Sequence, residues 1–249
     1  TDIRSSEGRC RNSSSLGTSL GTKRSEWVST SSPVGTRTSI VIKSTGIIEE
    51  TRGNNEVTRG SLSRSTEGMD GVRQLEKAVK EYGFIGAHFY PHWFELAPDH
   101  ARWYPFYAKC VELDVPVQLQ VGQSLVYDPK RPLRSVARPI TLDAVACDFP
   151  ELKLVGIHVG IPWTDEMIAM AWKHKNVYIA SDAHAPKSWP ASFLHYINTY
   201  GQDKVMFGTD YPLLDFDRCM NEIAAHNFRP DVLPKFLRDN AARVYKIKL

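Results

Sequence analysis

The sequence predicts an α/β protein of the (β/α)₈ TIM-barrel type, incomplete, with about five C-terminal β/α units after a region without regular structure. Two observations predict this class. From residue 69 onward, short apolar runs alternate with amphipathic segments, which is the pattern of parallel β/α units. The runs are also nearly continuous, as in strands that are covered on both faces. The chain has 249 residues, and one such barrel needs about 250.

The first part of the chain, residues 1–68, has a different composition. It is rich in Ser, Thr, Gly and Arg, contains Trp27 as its one aromatic residue and has no histidine. Only residues 40–42 read as a short strand. Such a segment cannot bury enough apolar surface to offset the entropy of ordering it. We therefore expect residues 1–68 to be disordered or not native-like, and residues 69–249 to form the barrel domain.

The elements of the second part follow from periodicity and capping. Asp70 can cap a helix in which Val72, Leu75 and Val79 share one face, and Gly83 ends it. The strands are predicted at 84–89, 115–121, 152–159, 177–180 and 205–208. Further helices are predicted at 103–111, 142–147, 164–174 and 191–200, and within 231–244.

Polar residues collect where the predicted strands end. They are His88 near the end of the first strand, His92 and Trp93 just beyond it, Gln118 and Gln120 in the second, His158 in the third, Asp182 and His184 after the fourth, and Asp210 after the fifth. The carboxyl ends of barrel strands are where the chemistry of such folds takes place, and buried imidazoles or carboxylates cost free energy unless paired or bound. These residue types favour a metal-dependent hydrolase, since imidazole and carboxylate bind Zn²⁺ or Mn²⁺.

Five segments carry a resemblance to a known family: "EKAVKEYGFIGAHFYPHW", "YPFYAKCVELDVPVQ", "FPELKLVGIHVG", "KVMFGTDYP" and "NAARVYKI". Through them residues 67–249 resemble the amidohydrolase-related branch of the amidohydrolase superfamily. That branch includes aminocarboxymuconate-semialdehyde and resorcylate decarboxylases and several lactone hydrolases. The resemblance implies a metal-dependent hydrolase or decarboxylase on a distorted (β/α)₈ barrel.

The resemblance also implies roles for individual residues. Asp210 matches the family's strand-eight metal ligand, and His158 matches its strand-six histidine, which transfers protons and positions water or substrate. We take both as catalytic and as candidate metal ligands. The strand-five histidine of the family falls at Gln120, and the strand-one ligand pair has no match because residues 1–87 contain no histidine. The implied divalent metal, Zn or Mn, would therefore have an incomplete site.

Four residues are predicted to bind substrate: His92, Trp93, Gln120 and His184. His92 could hold a substrate carboxylate or could be a loop histidine beside Trp93. For His184, as for Asp182, a solvated loop is the alternative interpretation. The tryptophans near the βα loops could wall a pocket for a ring, although core packing would explain them too.

Three functional hypotheses stay open at this point. The first is hydrolysis of a C–N or lactone bond in a small carboxylated cyclic or aromatic substrate. The second is non-oxidative decarboxylation, with His158 protonating the carbon that loses CO₂. The third is an inactive remnant or binding domain that lacks the first-strand metal ligands, in keeping with Gln120.

Composition and charge limit the classes of partner that we expect the chain to bind. A net charge of +3 without a clustered basic face argues against nucleic acid, and no apolar run reaches the roughly 18 residues of a membrane span. Four widely spaced cysteines favour a cytoplasmic, reducing setting. We expect a small-molecule substrate, and a homodimer formed through the exposed edge of an open five-stranded sheet.

Residues 1–68 are too few and too polar to supply three further β/α units. A natural fragment with a tail would explain this, and so would an incorrect reading frame upstream of about residue 66. We favour the second hypothesis, because family-like sequence begins abruptly at "STEGMDGV".

Overall fold

The computed structural model describes residues 40–43 (backbone only), 68–124 and 132–249. The disorder predicted for residues 1–68 therefore concerns a segment that lies almost wholly outside the described residues. The strands are β1 (Ile40–Lys43), β2 (Phe84–Phe89), β3 (Val117–Gln120), β4 (Leu154–Ile157), β5 (Val177–Ala180) and β6 (Val205–Met206). The helices are α1 (Gly68–Tyr82), α2 (Pro91–Phe94), α3 (Tyr104–Glu112), α4 (Leu142–Asp148), α5 (Thr164–Lys173), α6 (Ala191–Asn198), α7 (Phe216–Ala224) and α8 (Asn240–Tyr245). None of these helices is long and apolar enough to cross a bilayer.

The strands form one sheet in chain order, β1 to β6. From β2 to β6 every neighbouring pair is parallel, with Val117 opposite Leu154 and Leu154 opposite Val177. Helices connect these strands, because the chain needs a crossover connection to return to the start of a parallel neighbour. The prediction of about five C-terminal β/α units of an incomplete barrel is confirmed.

The edge of β2 differs from the expectation. We expected an open parallel edge there, whereas β1 lies antiparallel along it, with Ile40 opposite His88 and Lys43 opposite Phe84. The strand predicted at residues 40–42 is confirmed by this pairing. Because β1 occupies the hydrogen-bonding groups of β2, a dimer through that edge would have to displace β1. The dimer itself stays a prediction.

The two faces of the sheet pack against different partners. Leu119, Leu154 and Val177 are fully buried on the face covered by the connecting helices. On the opposite, inner face, Val155 packs in a separate cluster with α8. The Tyr245 hydroxyl donates to Gln118 Oε1 over 3.1 Å on this face. The last helix therefore covers the inner face below the carboxyl ends of the strands, and those ends carry the polar residues.

Helix α7 was absent from the sequence prediction. Its N-cap is Asp215, whose carboxylate accepts a hydrogen bond from the backbone N–H of Arg218 over 2.9 Å. Cys219 and Ile223, four residues apart, form its buried face. An Asp before a run with apolar residues at that spacing is a start signal that the sequence contained. The Tyr211–Pro212 segment and the short strand β6, which come before the helix, made this start signal harder to recognise in the sequence.

Candidate functional site

Three ionisable side chains meet at the carboxyl ends of β4, β5 and β6. His158 follows β4 directly, and its Nε2 lies 3.9 Å from Asp182 Oδ2 and 3.8 Å from Asp210 Oδ2. One ligand-type atom from each of the three lies within 4.8 Å of the others. The structure thus brings together the two residues that the sequence predicted as catalytic and adds Asp182 to them.

Asp182 is the member of this cluster that the sequence analysis named as a strand-end residue but did not predict as catalytic or as a metal ligand. The solvated-loop interpretation is wrong for Asp182, because the residue is only 6% exposed. Its Oδ1 accepts the backbone N–H of His158 over 2.8 Å, which ties the turn after β5 to the turn after β4. The signal in the sequence was its position two residues beyond a buried strand, the same kind of position as Asp210.

The backbone at these turns is held in a costly conformation. His158 has φ 65°, Asp210 has φ 56° and Ala183, next to Asp182, has φ 64°. Residues other than glycine avoid this left-handed region, and each such residue costs about 1–3 kcal/mol, which the contacts of the surrounding structure must offset. Strain at the ends of three neighbouring strands is typical of a site where side-chain direction matters more than local stability.

Gln120 fixes the imidazole of His158. Its amide nitrogen lies 2.9 Å from His158 Nδ1, and Gln120 is itself buried. With that amide as donor, Nδ1 accepts, and the proton of the neutral ring is on Nε2, which faces the two carboxylates. Gln120 was predicted to contact substrate, and the structure places it against His158 instead of an open surface.

Burial shifts the protonation of the cluster. Loss of hydration lowers the pKa of His158 to about 4, against the opposing effect of the Asp210 charge. Burial raises the pKa of Asp182 to about 6, although the hydrogen bond from the His158 backbone opposes this. Groups this close release their protons as a coupled set. Near neutral pH the ring of His158 is therefore uncharged, with its one proton on Nε2.

The other predicted substrate residues follow β2 and β5. The ring of His184 lies 6.5 Å from that of His158, and burial lowers the pKa of His184. Trp93 stacks on Tyr90 at 4.5 Å between ring centroids. His92 is fully buried in α2, which follows β2. The loop after β2 therefore supplies rings to the same end of the sheet.

A second group of possible ligands lies elsewhere in the described chain, on α4 and at the end of α5. Asp143, Cys147 and His174 also have donor atoms within 4.8 Å of one another. Here Asp143 already pairs with both Lys173 and His174 over 2.6 Å. These pairs explain the cluster as a surface ion-pair network, so the strand-end cluster is the better candidate for a metal.

The donor atoms of the strand-end cluster suit a divalent cation. It offers two carboxylates and one imidazole, the ligand types that Zn²⁺ and Mn²⁺ accept. Asp182 and Asp210 both lie within 4 Å of His158 Nε2, so two acidic groups share a small, largely buried space. A cation between them would remove the repulsion that this arrangement otherwise creates.

Two further buried imidazoles, besides that of His158, make the metal-free protein sensitive to acid. Burial lowers the pKa of His88 to about 3 and that of His92 to about 4, whereas an unfolded imidazole titrates near 6.5. Below pH 6.5 the unfolded state binds protons first, so the free energy of unfolding should fall as the pH drops from 6.5 towards 4. We expect a loss on the order of 2–3 kcal/mol per histidine, partly offset by Asp182.

Urea unfolding followed by circular dichroism between pH 7.5 and 4 measures this slope. His92→Asn should make the slope shallower, because one of the two imidazoles is removed. His195→Asn, at an exposed position of α6, is the control for loss of an imidazole. A stability that is constant across this range, or that rises towards pH 4, would contradict buried neutral histidines.

Comparison with known proteins adds to this geometry. The sequence model of the amidohydrolase family matches residues 49–247. The match begins upstream of the domain boundary predicted at residue 69. A 2-keto-4-carboxy-3-hexenedioate hydratase from Sphingobium sp. is 45% identical over 58 residues, which are 21% of this chain and 17% of the hydratase.

Solved structures share the fold. A TIM-barrel protein from Bordetella bronchiseptica superposes with a TM-score of 0.63 at 26% identity, over 72% of this chain and 62% of that one. A 2,6-dihydroxybenzoate decarboxylase from Rhizobium gives a TM-score of 0.56 at 20% identity, over 73% of this chain and 68% of the decarboxylase. The chain thus spans less than two thirds of the Bordetella protein and a small part of the hydratase.

Proposed function

This chain belongs to the amidohydrolase family, and from that premise we propose that it is a metal-dependent lyase. It would add or remove water or CO₂ at a carbon near a carboxylate of a small substrate. The observation that carries the proposal is the position of His158 Nε2, which lies 3.8–3.9 Å from the carboxylates of Asp182 and Asp210 at the carboxyl end of the sheet. The arrangement places one proton-transfer group beside two ligands for a cation.

Asp182 and Asp210 are the residues that would hold the cation, Zn²⁺ or Mn²⁺. When bound, it would polarise a substrate oxygen and stabilise negative charge that develops there. This assignment leaves His158 Nε2 for proton transfer, the role that the resemblance gives to this histidine. In the described chain, Gln120 keeps the ring oriented through Nδ1, so it is a positioning residue.

Proton transfer at His158 is common to both lyase reactions. In hydration Nε2–H would deliver a proton to one carbon of the double bond, while a carboxylate of the cluster takes the proton of the water that attacks the other carbon. In decarboxylation Nε2–H would deliver a proton to the carbon that loses CO₂. In this tautomer Nε2–H of the neutral ring is the proton donor, and the carboxylates 3.8–3.9 Å away are the proton acceptors.

The similarity to a hydratase favours a lyase over a hydrolase, since that relative shares 45% identity over its 58 matched residues. Hydrolysis of a C–N or lactone bond, which the sequence predicted first, is the second candidate. The description of the matching family as amidohydrolases supports it. The same cluster would serve it, with a carboxylate taking the proton of the attacking water and His158 Nε2–H donating to the leaving nitrogen or oxygen.

One experiment separates these candidates. The full chain, loaded with Mn²⁺ or Zn²⁺, is incubated with 2-keto-4-carboxy-3-hexenedioate, 2,6-dihydroxybenzoate and the lactone dihydrocoumarin. Loss of the conjugated double bond reports water addition, a coupled assay reports CO₂, and a pH indicator reports ester hydrolysis. We expect turnover in one of the first two assays.

The variant His158→Asn tests the role of Nε2. Asparagine keeps a polar atom close to the position of Nδ1 and removes Nε2, so turnover should fall by about 10²–10⁴-fold. Turnover of the lactone alone would favour the hydrolase. Equal turnover by the variant and the unmodified chain would overturn the assignment of His158.

A further inference from the structure

Two neighbouring aromatic side chains are exposed on the outer surface of the helical layer. Trp172, near the end of α5, is 72% exposed, the largest exposed fraction of any aromatic side chain in the described residues. Its ring contacts that of Tyr200 edge to face, with 5.6 Å between centroids, and Tyr200 is itself exposed. This contact leaves most of the indole in solvent. Adjacent large apolar side chains that stay exposed mark a surface to which another molecule binds.

The exposed face of α5 carries opposite charges at its two ends. Asp165, Ala169 and Trp172 are all exposed and recur at the spacing of one helix face, and the exposed Lys173 lies beside Trp172. We call these four residues the α5 stripe. Asp165 lies in the first turn of the helix and Lys173 in the last turn. Each is four residues from Ala169, which is about 6 Å along the helix axis. The α5 stripe is therefore acidic at one end, basic at the other and small in the middle.

This order of charges is complementary to the same stripe in the reverse direction. When a second copy packs its α5 antiparallel about a two-fold axis at Ala169, Asp165 of each copy lies opposite Lys173 of the other. The two alanines then meet at the axis, where small side chains let helices approach to about 8–10 Å. The indole of Trp172 lies over the first turn of the second helix and is covered. A second copy of this chain therefore satisfies both the charges and the exposed indole.

Lys173 can form this pair and keep the one that it already has. Its ammonium group donates to Asp143 Oδ1 over 2.6 Å, and its side chain is 55% exposed. An ammonium group has three N–H donors, so two remain for the second copy.

The helices beside α5 add to the surface that a dimer would bury. A stable interface buries about 1,200–2,000 Å² in total, which is more than one pair of short helices supplies. Helix α4 adjoins α5 through the pair of Asp143 and Lys173, and α6 packs against α5. Both have small exposed residues that allow close approach, namely Ala144, Cys147, Ala191 and Ser192.

We propose that the outer face of α5 is the interface of a homodimer, in which the α5 stripes of two copies pack antiparallel about a two-fold axis at Ala169. The edge of β2, which the sequence predicted as the dimer contact, is already paired with β1. The α5 face needs no such rearrangement, because its residues are exposed as the chain stands. The interface is independent of the proposed reaction, since none of its residues belongs to the strand-end cluster.

Mixing two charge-reversal variants of the full chain tests the interface. Asp165→Lys places lysines opposite each other at both ends of the helix pair, and Lys173→Asp places aspartates there. Sedimentation equilibrium should show that each variant alone dimerises about 10-fold more weakly than the unmodified chain. An equimolar mixture should regain the affinity of the unmodified chain, because in a mixed pair every lysine faces an aspartate. A folding defect in either variant would not be repaired by mixing.

Two further variants locate the contact. Trp172→Ala should weaken dimerisation by about 30-fold or more, because a covered indole is a typical hot spot of an interface. With Cys10 and Cys147 replaced by serine, Ala169→Cys should form a disulfide-linked dimer on mild oxidation, because the two copies of this residue face each other. Ala224→Cys, at an exposed position of α7, is the matched control and should stay unlinked.

Three results would overturn the α5 interface. The first is an unmodified chain that is monomeric at every concentration tested. The second is a dimer that survives Trp172→Ala and both charge reversals, which would place the contact elsewhere, such as at the edge of β2. The third is weak dimerisation of both charge variants without recovery in the mixture. Asp217→Lys, at an exposed position of α7, controls for the change in net charge and should dimerise as the unmodified chain does.

Discussion

Replacing Asp210 with asparagine is expected to lower kcat/KM by about 10³-fold or more. Asparagine keeps the volume of the side chain and removes the charge. The cluster would lose one of the two carboxylates that lie within 4 Å of His158 Nε2, and with it a ligand for the cation. Affinity for Mn²⁺, measured by electron paramagnetic resonance of the free ion, should fall in parallel with activity.

The free energy of unfolding of Asp210→Asn should not fall as its activity does. In the metal-free protein, Asp182 and Asp210 share a buried space, so removal of one charge should leave the free energy of unfolding unchanged or raise it slightly. Asp217→Asn makes the same chemical change at an exposed position in the first turn of α7 and should alter neither activity nor Mn²⁺ affinity. Full activity and full Mn²⁺ affinity in Asp210→Asn would show that the cluster is not the catalytic centre.

The parallel core of the fold could be predicted because its signals are local. Each strand from β2 to β6 is a short apolar run bounded by turn residues, and runs such as 177–180 match the structure at both ends. The packing of α8 on the inner face could not be predicted in this way. It depends on contacts between Tyr245 and residues far away in the chain, such as Gln118.

The candidate site was predicted in part for the same reason. His158 lies directly after an apolar run, so its placement at the carboxyl end follows from strand direction alone. Asp210 lies four residues beyond β6, and the resemblance carried by the segment "KVMFGTDYP" is what singled it out. Asp182 lies two residues beyond its strand, and a sequence does not show whether such a loop turns inwards. The left-handed turn at Ala183 and the hydrogen bond from His158 turn it inwards, and both are tertiary features.

A glycine in the loop after β3 packs closely against the turn after His158. Gly122 has φ 97°, and a Cβ there would lie 2.4 Å from the carbonyl oxygen of Ile161. Neither partner can move freely, because Gly122 N–H donates to Ala137 O and Gln123 N–H donates to Ile161 O, both over 2.9 Å. Gly122→Ala should therefore lower the free energy of unfolding by about 4 kcal/mol, with strain and a backbone clash acting together.

Gly83→Ala is the matched control for this change. Gly83 also has a left-handed backbone, with φ 70°, but a Cβ there would meet nothing within 4 Å. Only the conformational cost applies at that position, about 1 kcal/mol. Urea unfolding of both variants isolates the clash as the difference between them. Equal losses of unfolding free energy at the two positions would mean that the loop after β3 moves to accommodate the added Cβ. The contact between this loop and the turn after His158 would then not fix the geometry of the site.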